Sequence, residues 1–470
     1  MSAIMMRSTF LQSIALAAGV ALLFAAPVPR ALAADGSWNV DANGNWSTTG
    51  SWLGGTIPGS TSLTDSADIA TFGFTLTTGR AVTVDANRNI GGITFSNTSA
   101  FGYTLSGGSL LLSTGGVIQT AESNGAHTDT ISSAIAIQGV GGTGTFTAGA
   151  TSASGLLSIG AVTGVSTASN TTTLTLNGNN TGANAVTGII GNGSAGGTLA
   201  VVKSGSGQWR LSGVNTFSGG VTLNDGTLSL GANAALGTGT FTIAGGSINV
   251  TAALLTTNTQ NWNGDFTFVG SNTLNLGTGA VAMNSSRTVT VNASTLTVGG
   301  VISGAGFGLT KAGAGVLSLG GANTFTGGVT INSGTLRVTS AIGNGGVAGP
   351  LGAATSDAAN LMINGGTLEL NYSSANTTSD RGITFGTNGG TIYGNGTYGA
   401  AAIALNGPVV LQGNGARTIT LRANASNRVY TLAGNFADAG GATSIVTAAG
   451  PNAGTSSWRL NGSVTMTGGL

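Results

Sequence analysis

Residues Lys203 to Leu228 align with Lys311 to Leu336 at a constant shift of 108 positions, without a gap, and 16 of the 26 pairs are identical. The identities include Lys203/Lys311, Gly207/Gly315, Leu211/Leu319, Asn215/Asn323, Phe217/Phe325, Gly219/Gly327, Gly220/Gly328 and Gly226/Gly334. Such self-similarity means a unit that stacks on its own neighbours, and it constrains the architecture before any other signal does. Beyond the aligned block the register slips: Leu236-Gly237 recurs as Leu351-Gly352. A third copy opens late. Trp458-Arg459-Leu460 repeats Trp209-Arg210-Leu211, and Thr465-Met466 falls where Thr216-Phe217 fell. The sequence stops at Leu470, inside that copy, so the expectation is a fragment of a longer protein or a truncated reading frame, with Leu460 and Met466 as core residues of a rung.

Short alternating pieces fill the chain between the copies. Val82-Thr83-Val84, Leu174-Thr175-Leu176, Val289-Thr290-Val291 and Ile419-Thr420-Leu421 are examples. Period-two alternation marks half-buried strands, and Gly, Asn and Asp punctuate them as turns. In the first copy Val221 and Leu223 share a face, Asn224-Asp225-Gly226 turns the chain, and Leu228 returns to that face. This predicts inward-pointing Phe217 and Phe325, and a backbone at Gly226 and Gly334 that disfavours a side chain. Composition excludes a helical alternative. Lys203 and Lys311 are the only lysines, and Glu122 and Glu369 the only glutamates, so exposed helix faces could not be solvated. With 84 glycines, 40% hydrophobic residues and a mean hydropathy of +0.31, the chain favours tight corners around a real core over disorder. No domain-sized break divides some 400 residues, which favours a solenoid over a series of sandwiches of ~100 residues. The fold expected is all-β, a right-handed parallel β-helix. At ~20–25 residues per rung it would make roughly 18–20 rungs. With ~4.8 Å between strands that is a rod ~90 Å long.

The N-terminus reads as a secretory signal. Arg7 precedes an apolar run from Ile14 to Ala26, and Ala31-Leu32-Ala33 forms a cleavage site. The domain expectation is a signal peptide at 1–33, an N-terminal cap and first rungs at 34–100, and a solenoid at 101–470. Within the solenoid, repeats lie near 199–250, 307–370 and 447–470, the last incomplete.

The run from Leu309 to Leu336 carries a K-x-G-x-G element, an L-x-G-x-N-T-[YF]-x-G-G-[TV]-T element and a closing G-T-L. This resembles the autotransporter-associated β-strand repeat. The copy at Lys203 matches nearly as well, with Trp209 and Arg210 replacing small residues. Trp38, Asn45-Trp46 and Trp52, followed by Pro58, Asp65 and Asp68, resemble the segment that opens many proteins bearing this repeat. The resemblance implies a secreted type V passenger with a C-terminal outer-membrane barrel. No C-terminal block of amphipathic membrane strands is visible here, so any outer-membrane contact would pass through a barrel not present in this chain.

Candidate chemistry is sparse. His127, the single histidine, lies two residues from Asp129, on one strand face, where both are expected to be ordinary solvent-exposed groups. No G-x-S-x-G elbow supports a Ser-His-Asp site. Cysteine is absent, zinc ligands are lacking, and no Gly-rich aspartate nonapeptide binds calcium. Asp65 and Asp68 read as loop or cap residues. Lys203-Ser204 lacks the glycine before it and the helix after it that a phosphate loop needs. Asn215 and Asn323 read as corner caps in preference to sugar ligands. Arg417, Arg422 and Arg428 form the densest basic group and read as a solvated face; with net charge +1, nucleic acid is not an expected partner. No catalytic, cofactor-binding or metal residue is assigned. The expected role is an exported, surface-displayed passenger or stalk of a Gram-negative-type bacterium. It would serve adhesion, autoaggregation or surface coating through surface glycans, host or neighbouring cells, or self-association. The rivals are a β-helical carbohydrate-active enzyme, which needs converging carboxylates, and an inert spacer for an absent functional domain. Asp225 becomes Ser333 in the sister copy, so the rung does not require it.

Overall fold

The computed structural model describes residues 34–62, 66–149, 155–372, 376–396, 402–414, 416–424, 428–437, 443–449 and 457–465. The expected leader, Asp65 and Met466 lie outside them.

Strands two to twelve residues long alternate with Gly- and Asn-rich corners, and each pairs in parallel with its counterpart one rung on. One ladder runs unbroken from Gly44–Asn45 to Val464–Thr465 and holds eighteen strands among the described residues. At ~4.8 Å per step that ladder is about 80 Å long. A second ladder begins at Gly36–Ser37 and reaches Ile302–Ser303. A third extends from Leu254–Leu255 to Thr443–Ala449. The chain is therefore a parallel β-solenoid. We call the ladder starting at Gly36–Ser37 the first face, the unbroken one the second, and the one ending at Thr443–Ala449 the third.

The alternation in the sequence explains the burial. On the second face Val82, Leu105, Ile131, Ile159, Val186, Leu211, Leu230 and Val250 stack in one column, all buried. Each such side chain contributes about 1.5–3 kcal/mol on burial, and most of that sum offsets the entropy of ordering the backbone. The residues between them face out, and in the best-formed rungs they are Thr, Ser and Asn.

Rung length varies. It is 20 from Val201 to Val221, 19 from Phe241 to Gln260 and 21 from Val281 to Ile302. It widens to 30 between Thr145 and Thr175 and to 32 between Val329 and Leu361, where a long loop is inserted.

The two repeat copies sit on different faces. In the first copy Thr198–Lys203 lies on the first face and Gln208–Leu211 on the second. In the second copy Leu309–Ala312 lies on the second face and Val316–Leu319 on the third. Five rungs carry the first face from Val201 through Val221, Phe241, Gln260 and Val281 to Ile302. The next strand, at Leu309, opens the second copy one face further round. The repeat thus encodes a strand, a turn, a strand and a corner, without specifying the face.

The earliest rungs are filled by aromatics. Trp38 and Trp52 meet edge to face at 5.2 Å, and both contact Phe72, as does Trp46. Each indole N–H finds a carbonyl: Trp46 donates to Pro58 at 3.0 Å and Trp38 to Val40 at 3.1 Å. The Asp68 carboxylate accepts from the amides of Ala34 and Gly59, both at 2.8 Å, which ties down the strand entry.

Candidate binding surface

Two polar pairs shared by the copies, Lys203/Lys311 and Asn215/Asn323, are spent on the scaffold. Lys203 is fully buried, and its ammonium donates to the carbonyls of Ser204, Gly205 and Asp225 at 2.8, 2.8 and 3.1 Å. Lys311 does the same with Ala312, Gly313 and Ser333 at 2.7, 2.7 and 3.2 Å. Burial pulls both ammonium groups down to about 8, and at Lys203 the charge of Asp225 opposes that pull. The turn glycines make room for this clamp. Gly226 and Gly334 have φ of 65° and 62°, and a Cβ at Gly226 would lie 2.6 Å from the Lys203 Nζ.

Asn215 and Asn323 act as bridges between rungs. The Asn215 Oδ1 accepts from the Ile190 amide at 2.9 Å, and its Nδ2 donates to the Ala235 carbonyl at 2.7 Å. Asn323 accepts from Ile302 at 2.8 Å and donates to Pro350 at 2.9 Å. Both amide ends are therefore occupied, as a corner cap requires. Phe217 and Phe325 are fully buried just beyond them.

His127 and Asp129 depart from the expectation of exposure. Both are buried, because the ring and carboxylate fill a corner under Tyr103. The Nε2 lies 3.0 Å from Asp129 Oδ2, and the Nδ1 2.8 Å from the Ser99 carbonyl. Asp129 also accepts from the Tyr103 amide at 2.8 Å and from Asn124 at 3.0 Å. Burial works against a charge on the ring, but the hydrogen bond and charge of Asp129 and the Ser99 carbonyl outweigh it, so the histidine titrates above its usual range. With both ring nitrogens committed, neither faces a serine hydroxyl.

The arginine group is also not one solvated face. Arg417 and Arg428 are buried inside the solenoid. Arg417 donates to the carbonyls of Phe385 and Gln412, and Arg428 to that of Tyr372. These corners lack enough donors of their own, and an inward arginine supplies them. Arg381, which the sequence reading passed over, does likewise. Its guanidinium reaches the carbonyls of Gly343, Val347, Gly352 and Ala354, pinning the inserted loop of the 32-residue rung.

Only Arg422 of the group faces outward, and it lies on a surface of the third face where polar side chains converge. On the third face, Val316, Thr335, Thr367, Thr391 and Thr420 stack in one outward column. Beside it run Ser318, Arg337, Glu369, Tyr393 and Arg422. The two columns line a shallow groove of about 370 Å³. Glu369 forms its floor and is 3% exposed. Its Oε2 accepts from Arg337 Nε at 2.8 Å and its Oε1 from Asn395 Nδ2 at 2.7 Å. The Arg422 guanidinium lies 4.6 Å from the Tyr393 ring centroid, within cation–π range. No motif announces this groove. It arises from alternate residues of five successive rungs, and only the register brings them together.

A family model, the passenger-associated-transport-repeat, matches residues 201–230 and 309–338. Two segments of the chain thus match a repeat associated with the transport of passengers. The adhesin BmaC autotransporter of Brucella suis biovar 1 is 29% identical over 244 residues, which cover 50% of this chain and 7% of that relative. The chain thus spans a small part of the length of the curated relative it matches. No solved structure matches the chain. Among the described residues no three His, Asp or Glu side chains converge to hold a metal, and no helix is long and apolar enough to cross a membrane.

Proposed function

We propose that this chain is an exported structural passenger displayed at the cell surface or outer membrane, where it serves adhesion, autoaggregation or surface coating. The observation that carries this reading is the division of labour in the rungs. The charged and amide groups of the repeat, Lys203, Lys311, Asn215 and Asn323, are consumed inside the scaffold. The outer columns are left as a long polar surface with a shallow groove. Similarity to an autotransporter adhesin supports the adhesive reading. A non-catalytic role is part of the proposal. The groove holds a single carboxylate, Glu369, with both oxygens engaged, whereas glycoside cleavage of the usual kind takes two carboxyl groups across the scissile bond.

The test is display of the chain on a Gram-negative host as the passenger of an unrelated outer-membrane barrel. Cells carrying it should settle faster, or bind more to a cell monolayer, than cells carrying the barrel alone. If antibody labelling confirms display and neither property changes, the adhesive reading is wrong.

A further inference from the structure

We propose that the groove on the third face binds an acidic glycan chain through Arg337 and Arg422. The inference rests on the adhesive reading and names the ligand class of that surface. The groove presents donors in excess of acceptors. Glu369 has both oxygens occupied by Arg337 and Asn395. Arg337 spends only its Nε on Glu369, so its two terminal amino groups remain available among the described residues. Arg422 stacks on Tyr393, and among the described residues its guanidinium makes no ion pair or hydrogen bond. A carboxylate or sulfate can therefore be taken by one guanidinium in a bidentate pair without breaking an existing contact.

The remainder of the groove suits a saccharide. The hydroxyls of Thr335, Thr367, Thr391 and Thr420 line it at the spacing of the rungs, ~4.8 Å. They make no side-chain hydrogen bond among the described residues, and each can donate or accept, as sugar hydroxyls can. From Val316 to Thr420 the column spans about 19 Å, room for several sugar units in an extended chain. A protein partner fits less well, because Val316 is the only aliphatic lining residue and no buried aromatic anchor pocket exists there. Nucleic acid fits less well too, because two arginines cannot follow a phosphate backbone.

The full chain would be titrated with polygalacturonate, which carries carboxylates, with heparin, which carries sulfates, and with neutral dextran and duplex DNA. One or both acidic glycans should bind in a salt-sensitive way, while dextran and DNA do not; which of the two binds identifies the anion. Arg422→Gln should weaken binding by about tenfold or more, and Arg422→Lys by less. Thr391→Glu, which sets a negative charge in the middle of the groove, should weaken it as strongly. Because Thr391 points outward from a regular strand, that variant decides the matter if Arg422→Gln misfolds by circular dichroism. The proposal is overturned if neither acidic glycan binds, if dextran or DNA binds as well, or if the folded variants bind like the parent. Displayed cells that adhere while the purified chain ignores both glycans would sink this inference alone and leave the passenger reading intact.

Discussion

The Lys311 ammonium donates to the Ser333 carbonyl one rung on, as the Lys203 ammonium does to the Asp225 carbonyl, although the two lysines sit on different faces of the solenoid. The clamp is thus a property of the strand-turn-strand unit. It also explains why the position corresponding to Asp225 can be Ser333: the hydrogen bond is to the backbone carbonyl, and the Asp225 carboxylate adds only a charge that favours the ammonium.

The clamp makes a direct prediction. Lys311→Met keeps the stem's packing but removes the donor from three carbonyls around the turn. The expected cost is about 2–3 kcal/mol, in line with a lost hydrogen-bonded charge. Since repeat arrays yield locally, hydrogen exchange should speed up in residues 311–336 with little change in the rungs near Phe146. Unchanged protection of that turn would mean that the ammonium is incidental.

A second prediction concerns the seat of Phe325. Gly352 has φ of 79°, and a Cβ there would lie 2.5 Å from the ring's Cε2. Phe325→Ala should cost ~3–5 kcal/mol through the cavity it leaves. Gly352→Ala should also destabilise, both by the clash and by the left-handed backbone. The double change Phe325→Leu with Gly352→Ala should cost less than the sum of its parts, because the smaller side chain relieves the ring's share of the clash, while the Phe325 carbonyl at 2.6 Å keeps its own. Additive losses in chemical denaturation would show that ring and glycine do not meet.

The asparagine bridge supports a third. Asn323→Ala strands the Ile302 amide and the Pro350 carbonyl, each in a buried corner, and should cost about 1–3 kcal/mol. Asn323→Asp keeps the acceptor but loses the donor, so it should also destabilise and should recover partly at acid pH as the carboxyl gains a proton. A variant with Asp that is as stable as the parent at neutral pH would remove the bridge from the account.

Much of the scaffold is legible in the sequence. The inward Phe217 and Phe325, the left-handed Gly226 and Gly334, the capping Asn215 and Asn323 and the parallel stacking all follow from period-two alternation and an ungapped repeat. The buried charges were not legible. His127, Asp129, Arg417 and Arg428 are polar residues in polar surroundings of sequence, and polarity alone sends them outward. His127, Arg417 and Arg428 turn inward to serve corner carbonyls, and Asp129 turns inward to accept from the Tyr103 amide, Asn124 and His127; these needs appear only when rungs are stacked. The rotation of the second copy by one face was hidden for a related reason: a shift of 108 says how far apart the copies are, and says nothing of the rung length between them. Leu460 shows the same dependence on context. It pairs with buried Leu432 in a fourth, four-stranded ladder that begins at Thr377–Ser379, yet it is 36% exposed in the last described strand of that ladder.

The last prediction follows from the His127 corner. The folded ring titrates above its ordinary value of about 6.5. A raised base binds its proton more tightly in the folded state, so its contribution to stability is complete below the unfolded pKa and is lost as pH rises through the folded one. The groups facing it are Asp129, the Asn97 amide and the Ser99 carbonyl. The amide of Leu156, which donates to the His127 carbonyl at 2.8 Å, reports on the corner. After correction for the intrinsic base catalysis of exchange, its protection should be complete below about pH 6.5, the ordinary histidine value, and should fall as pH rises through the raised folded value. In His127→Gln, whose side chain does not titrate, that fall should disappear. The same pH profile in parent and variant would show that the proton on this ring does not stabilise the rung, and that the corner is held by neutral hydrogen bonds instead.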